Sequence, residues 1–148
     1  MYDRAHEALS AARGSRYPVV LLLGIGEQVD ADVWVGFAAE SDLAVLDMLE
    51  CVERPDFQRA AAAWPTLADW VRQQALDLGG ILVLDLDAVV TRWDDSDRRR
   101  FYLKLIKIEI RNRDTGEPAP IVAISTLALD YHLPEDARSQ GIVIDLLT

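Results

Sequence analysis

The chain has one cysteine, Cys51, in 148 residues. A disulfide framework and a cysteine-based metal site are therefore excluded, and a reducing compartment suits it. It has only two histidines, His6 and His132, and neither has a second histidine or a cysteine at ligand spacing. Zinc and iron sites are not expected, no Ser-His-Asp or Cys-His nucleophile is legible, and both histidines read as surface or packing residues. No apolar run is long enough to span a bilayer: the longest is Pro18 to Gly26. The opening Met-Tyr-Asp-Arg-Ala-His-Glu carries acids that a signal peptide avoids. Positive charge is scarce, with 15 Lys and Arg against 25 Asp and Glu and a net charge of −10. Such a surface repels phosphate backbones, so direct nucleic-acid binding is not expected. Repeats, low-complexity tracts and long linkers are also missing, and the expectation is an acidic cytoplasmic protein without membrane contact.

What the chain does have is apolar substance. Hydrophobic residues make up 51% of it, which excludes disorder, and its length suits a single domain over 1–148. Tyr17 to Gly24 is a continuous apolar run with β-branched Val19 and Val20 and a closing glycine, the signature of a strand buried on both faces. Asp42 to Met48, Gly80 to Asp85, Pro120 to Ser125 and Gly141 to Leu146 share that character. Helical spacing fills the intervals. Tyr2 to Arg13 places Ala5, Ala8, Leu9 and Ala12 on one face and stops at Gly14, and Asp56 to Leu78 is a helical stretch broken by Pro65. Phe101 to Arg111 can be read two ways. Ile106, Ile108 and Ile110 alternate with Lys107 and Glu109 as in a strand, whereas a helix starting near Asp95 or Ser96 puts Phe101, Leu105 and Ile108 on one face. The helix is preferred, because two parallel strands need a crossover and this is the only segment available for one. The expected architecture is three-layer α/β/α around a mostly parallel five-stranded sheet.

Two places in this pattern could carry chemistry. The first strand runs into Gly24-Ile25-Gly26-Glu27-Gln28-Val29-Asp30-Ala31 before a helix, where a phosphate-binding loop sits in nucleotide-binding domains. Against G-x-x-x-x-G-K-[ST], Gly24 takes the first glycine, but Val29, Asp30 and Ala31 replace the second glycine, the lysine and the hydroxyl. Those three supply the amide wrap, the cation and the magnesium ligand, so Gly24, Gly26 and Asp30 form at most a vestigial loop and no cofactor is expected. The second place is Ile81-Leu82-Val83-Leu84-Asp85-Leu86-Asp87, an apolar strand ending in acid, which puts carboxylates at the ligand-binding edge of an open α/β sheet. Asp85 and Asp87 are candidate magnesium ligands or catalytic acids, with Ser125 as a third member. The run Asp85-Leu86-Asp87-Ala88-Val89 is similar to the D-x-D-G-[TV] of haloacid-dehalogenase-type phosphatases, but residues 126–148 contain no lysine to complete that site. A receiver domain would place a phospho-accepting aspartate at such a strand end and Ser125-Thr126 beyond the fourth strand, yet Gly24-Ile25-Gly26 stands where its acidic pair belongs.

In order and spacing, residues Ala5 to Leu147 resemble the core of AAA-like P-loop ATPases, with Asp85 where the magnesium-holding aspartate falls and Ser125 ending the strand of the polar sensor residue. The helical lid is lacking. Small stand-alone P-loop subunits of bacterial BREX phage-defence systems look similar around Leu84-Asp85-Leu86-Asp87. The resemblance implies a P-loop-like fold, but Val29, Asp30 and Ala31 prevent nucleotide binding from being carried over. It implies a non-catalytic accessory or assembly subunit, in a phage-defence or DNA-processing system, with a protein partner or a second copy. The alternatives are a magnesium-dependent phosphotransferase or phosphatase using Asp85 and Asp87, and a receiver-like signalling domain.

An interface is suggested by Arg98-Arg99-Arg100, the only concentrated positive charge, which follows Trp93 and the acids Asp94, Asp95 and Asp97. Its plain reading is a helix surface with i,i+3 and i,i+4 pairs. Trp93, between Arg92 and Asp94, is expected to be exposed and to serve with the arginines as an anchor.

Overall fold

Val19–Leu23 has no polar side chain, so both of its faces have to be covered, and covering them organises the molecule. A computed structural model describes residues 3–23, 31–107, 110, 115–125 and 143–145. In chain order the elements are α1 (Asp3–Arg13), β1 (Val19–Leu23), α2 (Ala31–Glu40), β2 (Ala44–Asp47), α3 (Met48–Cys51), α4 (Pro55–Ala60), α5 (Trp64–Leu78), β3 (Ile81–Leu84), α6 (Leu86–Val90), α7 (Asp95–Leu105), β4 (Ile121–Ser125) and β5 (Val143–Asp145). The protein is α/β, with a parallel sheet in the order β2-β3-β4-β1-β5. Registers run Val19↔Ile121 along β1 and β4, Ile81↔Ile121 along β3 and β4, and Ala44↔Ile81 along β2 and β3. The short β5 joins through Leu21↔Val143.

Side chains of successive strand residues alternate between two cores. One holds Val20, Leu22, Leu82, Leu84, Val122 and Ile124 under α1 and α2, where Trp34 and Phe37 supply the bulk. The other holds Val19, Leu21, Leu23, Ile81, Val83, Ile121 and Ala123 under α3 to α7. The chain crosses from β1 to β2 by α2 on the first face and returns through β3 and β4 by helices on the second. Direction and face reverse together, as right-handed crossovers require.

Local chemistry sets the boundaries. The expected strand over Asp42 to Met48 shortens to Ala44–Asp47, because Asp42 adopts a left-handed backbone with φ 58° and Met48 opens α3. Pro65 lies in the first turn of α5, where its missing N–H costs nothing, and so divides α4 from α5. The ambiguous segment is helical over its first part: Asp94 caps α7 by accepting from the N–H of Asp97 at 2.8 Å, and Phe101, Tyr102 and Leu105 are buried. The helix stops at Leu105 rather than running towards Arg111, although Ile106 and Ile110 are still buried beyond it. Ile108 lies outside the described residues.

Gly79 and Gly80 make the turn from α5 into β3, with φ of 78° and 124°. A Cβ on Gly79 would meet nothing within 4 Å, whereas one on Gly80 would stand 3.1 Å from both Leu43 and Pro120. Gly79→Ala should therefore cost about 1 kcal/mol of backbone strain alone. Gly80→Ala adds a steric clash and should cost about 2–3 kcal/mol. Urea denaturation of the two variants checks the ordering, and equal losses would contradict it.

Candidate functional site at the carboxyl edge of the sheet

Parallel pairing brings the carboxyl ends of β2, β3 and β4 to one edge, and the acids gather there. Asp47 ends β2 opposite Leu84, so Asp85, the next residue, is its neighbour across the strand ends. The same dipeptide stands at both places, Leu46-Asp47 closing β2 and Leu84-Asp85 running from the last residue of β3 to the N-cap of α6. Asp47 caps α3, accepting from the N–H of Leu49 at 2.9 Å. Asp85 stands at the N-cap position of α6 but makes no capping bond, and its backbone is left-handed, with φ 59° and ψ 28°. Although the residue is exposed, partial withdrawal of its carboxyl group from water raises its pKa, and a hydrogen bond shared with Asp47 and repulsion from Asp47 and Asp87 push the same way.

Asp87, in the first turn of α6, faces inward. Its Oδ1 accepts from Ser125 Oγ at 2.6 Å and from Tyr102 Oη at 2.7 Å. The two hydroxyl oxygens are 3.1 Å apart, and with both hydrogens committed to Asp87 that approach is a packing contact. Ser125 and Tyr102 are almost wholly buried. Burying two hydroxyls without partners would cost roughly 1–3 kcal/mol each, and one carboxyl oxygen removes both penalties. The triangle also ties three elements together, since α6 carries Asp87, α7 carries Tyr102 and β4 ends at Ser125.

The grouping of Asp85, Asp87 and Ser125 expected from the sequence thus divides by role, with Asp85 turned to solvent beside Asp47 and Asp87 turned to the hydroxyls. Tyr102 and Asp47 were missed. A tyrosine on the buried face of a helix needs a polar partner, and an acid directly after an apolar strand is the pattern that singled out Asp85, so both signals were present. Gly24, Gly26 and Asp30 lie outside the described residues. Among the described residues, no three His, Cys, Asp or Glu side chains converge as metal ligands. His6 packs on the ring of Phe37 and approaches Glu40 at 3.4 Å; His132 lies outside the described residues.

Of the expected interface residues, Arg98 and Arg100 make the i,i+3 contacts of the plain helix-surface reading, with Asp95 and Asp97, whereas Trp93 is placed differently from its sequence reading. Trp93 is half-buried, not a free surface anchor: its indole N–H donates to the carbonyl of Ala61 at 3.2 Å, and its ring packs on Phe101. Arg98 reaches back to the end of α6, donating to the carbonyls of Val90 at 3.0 Å and Thr91 at 2.9 Å and to Asp95 at 3.2 Å. It satisfies carbonyls left open at a helix C-terminus. Arg100 stands 3.9 Å from Asp97 and Arg99 is exposed, so the triplet divides into one structural and two surface cations.

Comparison of the chain with protein families, with curated proteins and with solved structures finds no match.

Two outcomes follow from this geometry. Tyr102→Phe keeps the ring and removes one donor to Asp87, and should cost about 1–2 kcal/mol in chemical denaturation. A loss below ~0.5 kcal/mol would mean that water replaces the hydroxyl. Asp85→Asn keeps a side chain tolerant of the left-handed backbone and removes the charge that the folded state disfavours. An acid whose folded pKa is raised loses stability as pH climbs from the unfolded value through the folded one. The variant should therefore be the more stable at pH 7, by under ~1 kcal/mol at so exposed a site, and its advantage should vanish below about pH 4. Melting curves across that range decide it.

Proposed function

We propose that this chain is a non-catalytic assembly subunit built on a P-loop-ATPase-like core whose nucleotide site has been lost. The observation that carries the reading is the internal engagement of Asp87 at the carboxyl edge. Asp87 accepts from both Ser125 and Tyr102, so one of its carboxyl oxygens is already engaged inside the protein. An acid that holds magnesium or attacks phosphorus has to be ionised and free at its reactive oxygen, and for Asp85 partial withdrawal from water and the nearby carboxyls of Asp47 and Asp87 raise the cost of the ionised form. The sequence supports the same reading through Val29, Asp30 and Ala31 in place of the phosphate-loop glycine, lysine and hydroxyl.

The topology supports the P-loop comparison too. The sensor-like strand β4 stands between β1, which leads into the vestigial loop, and the acid-ended β3. Receivers of flavodoxin-like topology order their strands 2-1-3-4-5, with β1 between β2 and β3. Here β1 lies between β4 and β5, which weighs against the receiver alternative. The pathway belongs to the same proposal: a phage-defence or DNA-processing assembly of bacteria, in which this subunit contributes protein contacts.

The test joins two measurements on the full chain. Calorimetry with ATP and magnesium should show no site tighter than about 100 µM, the ~5.5 kcal/mol that an intact phosphate loop would exceed. Sedimentation with the products of the flanking genes should show a complex that weakens as salt contracts the Debye length, and Arg99→Glu with Arg100→Glu should weaken it further while leaving Arg98 to cap α6. Magnesium-dependent hydrolysis of a phosphate ester that is lost in Asp85→Asn would replace this reading with the enzyme.

A further inference from the structure

β2 is the strand at one outer edge of the described sheet. β2 pairs with β3 on one side, and among the described residues no strand pairs with its other side. The N–H of Ala44 donates to the carbonyl of Gly80 at 3.1 Å, so Ala44 and, two residues on, Leu46 direct their backbone groups at β3. Strand alternation then turns the N–H and C=O of Val45 and Asp47 outward. The side chains show the same openness. Val45 is 41% exposed and Leu49, just past the strand end, is 53% exposed, in a protein whose other three long-paired strands are buried throughout.

Natural edge strands are usually blunted, and an apolar edge with outward backbone groups is a template for another strand. The segment that carries this edge has charge of one sign. Residues 42–53 contain Asp42, Asp47, Glu50 and Glu53 and no lysine or arginine, and Asp42, Glu50 and Glu53 are exposed. Of the cations nearby, Arg54 is paired with Asp56 at 3.0 Å, and Arg13, at the Asp42 end, donates to the carbonyl of Ser41 at 2.7 Å. A second copy of this chain would bring the same acids to the same edge and be repelled, so the edge selects against self-pairing and in favour of a basic partner.

We infer that the open edge of β2 is a docking site for an extended segment of a partner protein in which apolar residues alternate with lysine or arginine, added as a further strand. The segment would bond to the outward backbone groups of Val45 and Asp47, place apolar side chains on Val45 and Leu49, and set its cations against the surrounding acids. This rests on the protein-binding reading given above and names the chemistry of the partner.

The experiment uses the full ¹⁵N-labelled chain and two capped hexapeptides, one alternating lysine with valine and one alternating glutamate with valine. In the free protein, the amides of Val45 and Asp47 should exchange with solvent at least about tenfold faster than those of Ala44 and Leu46, as unpaired edge groups do. The basic peptide should shift and protect the Val45 and Asp47 amides, with apparent affinity falling about tenfold or more between ~50 mM and ~500 mM salt, and the acidic peptide should do neither. Val45→Lys, at an exposed position, should abolish the effect while the other amide signals stay in place. Equal response to both peptides, protection of Val45 and Asp47 in the free protein, or binding that leaves them unmoved would each overturn the inference. A nucleotide site or phosphatase turnover would overturn the assembly reading and leave these amide results as they are, so the two failures are distinguishable.

Discussion

Strands β1, β3 and β4 are apolar on both faces except at the final serine of β4, and neither face can be left in water. That obligation decides where every helix goes. α1 and α2 close one face and α3 to α7 the other, so each connection has to cross the sheet on the side its handedness allows, and the strand order follows from those crossings. It also sends all strands in one direction, which is why their carboxyl ends, with Asp47, Asp85 and Ser125, share an edge.

At that edge the apolar rule gives way to polar accounting. Ser125 ends a strand that is buried to its last residue, and its hydroxyl needs an acceptor that the sheet does not supply. Asp87 provides it from the following helix and takes the hydroxyl of Tyr102 on the same oxygen, which fixes α7 against both. Arg98 secures the far end of α6 in turn, through the carbonyls of Val90 and Thr91. The α6 and α7 pair is thus held by polar contacts at both ends with the aromatic packing of Trp93, Phe101 and Tyr102 between them. Asp87, Ser125, Tyr102 and Arg98 thereby seat two helices on the sheet.

The acids left over shape the surface. Asp85 keeps its exposure and an unfavourable charge beside Asp47, and the segment from Asp42 to Glu53, which contains the outermost described strand β2, holds four acids and no lysine or arginine. Uncompensated charge of one sign lowers stability a little and discourages self-association.

The sequence by itself determined the alternation of buried strands and helices, the placing of Asp85 just past a strand end, the break at Pro65 and the helix of Phe101 and Leu105. Each of these depends on contacts or torsions within a few residues, where apolar period and capping chemistry act. Only the tertiary structure decided which strands are neighbours, that Asp47 stands beside Asp85, and that Tyr102 and Ser125, 23 positions apart, meet on Asp87. It also decided that Arg98 faces a helix end and Trp93 a core, whereas both read in line as surface groups. The reason is physical: a side chain's partner is set by the register and crossing of elements distant in the chain, and no local pattern of charge or hydropathy encodes which distant carbonyl or carboxylate will be within 3 Å.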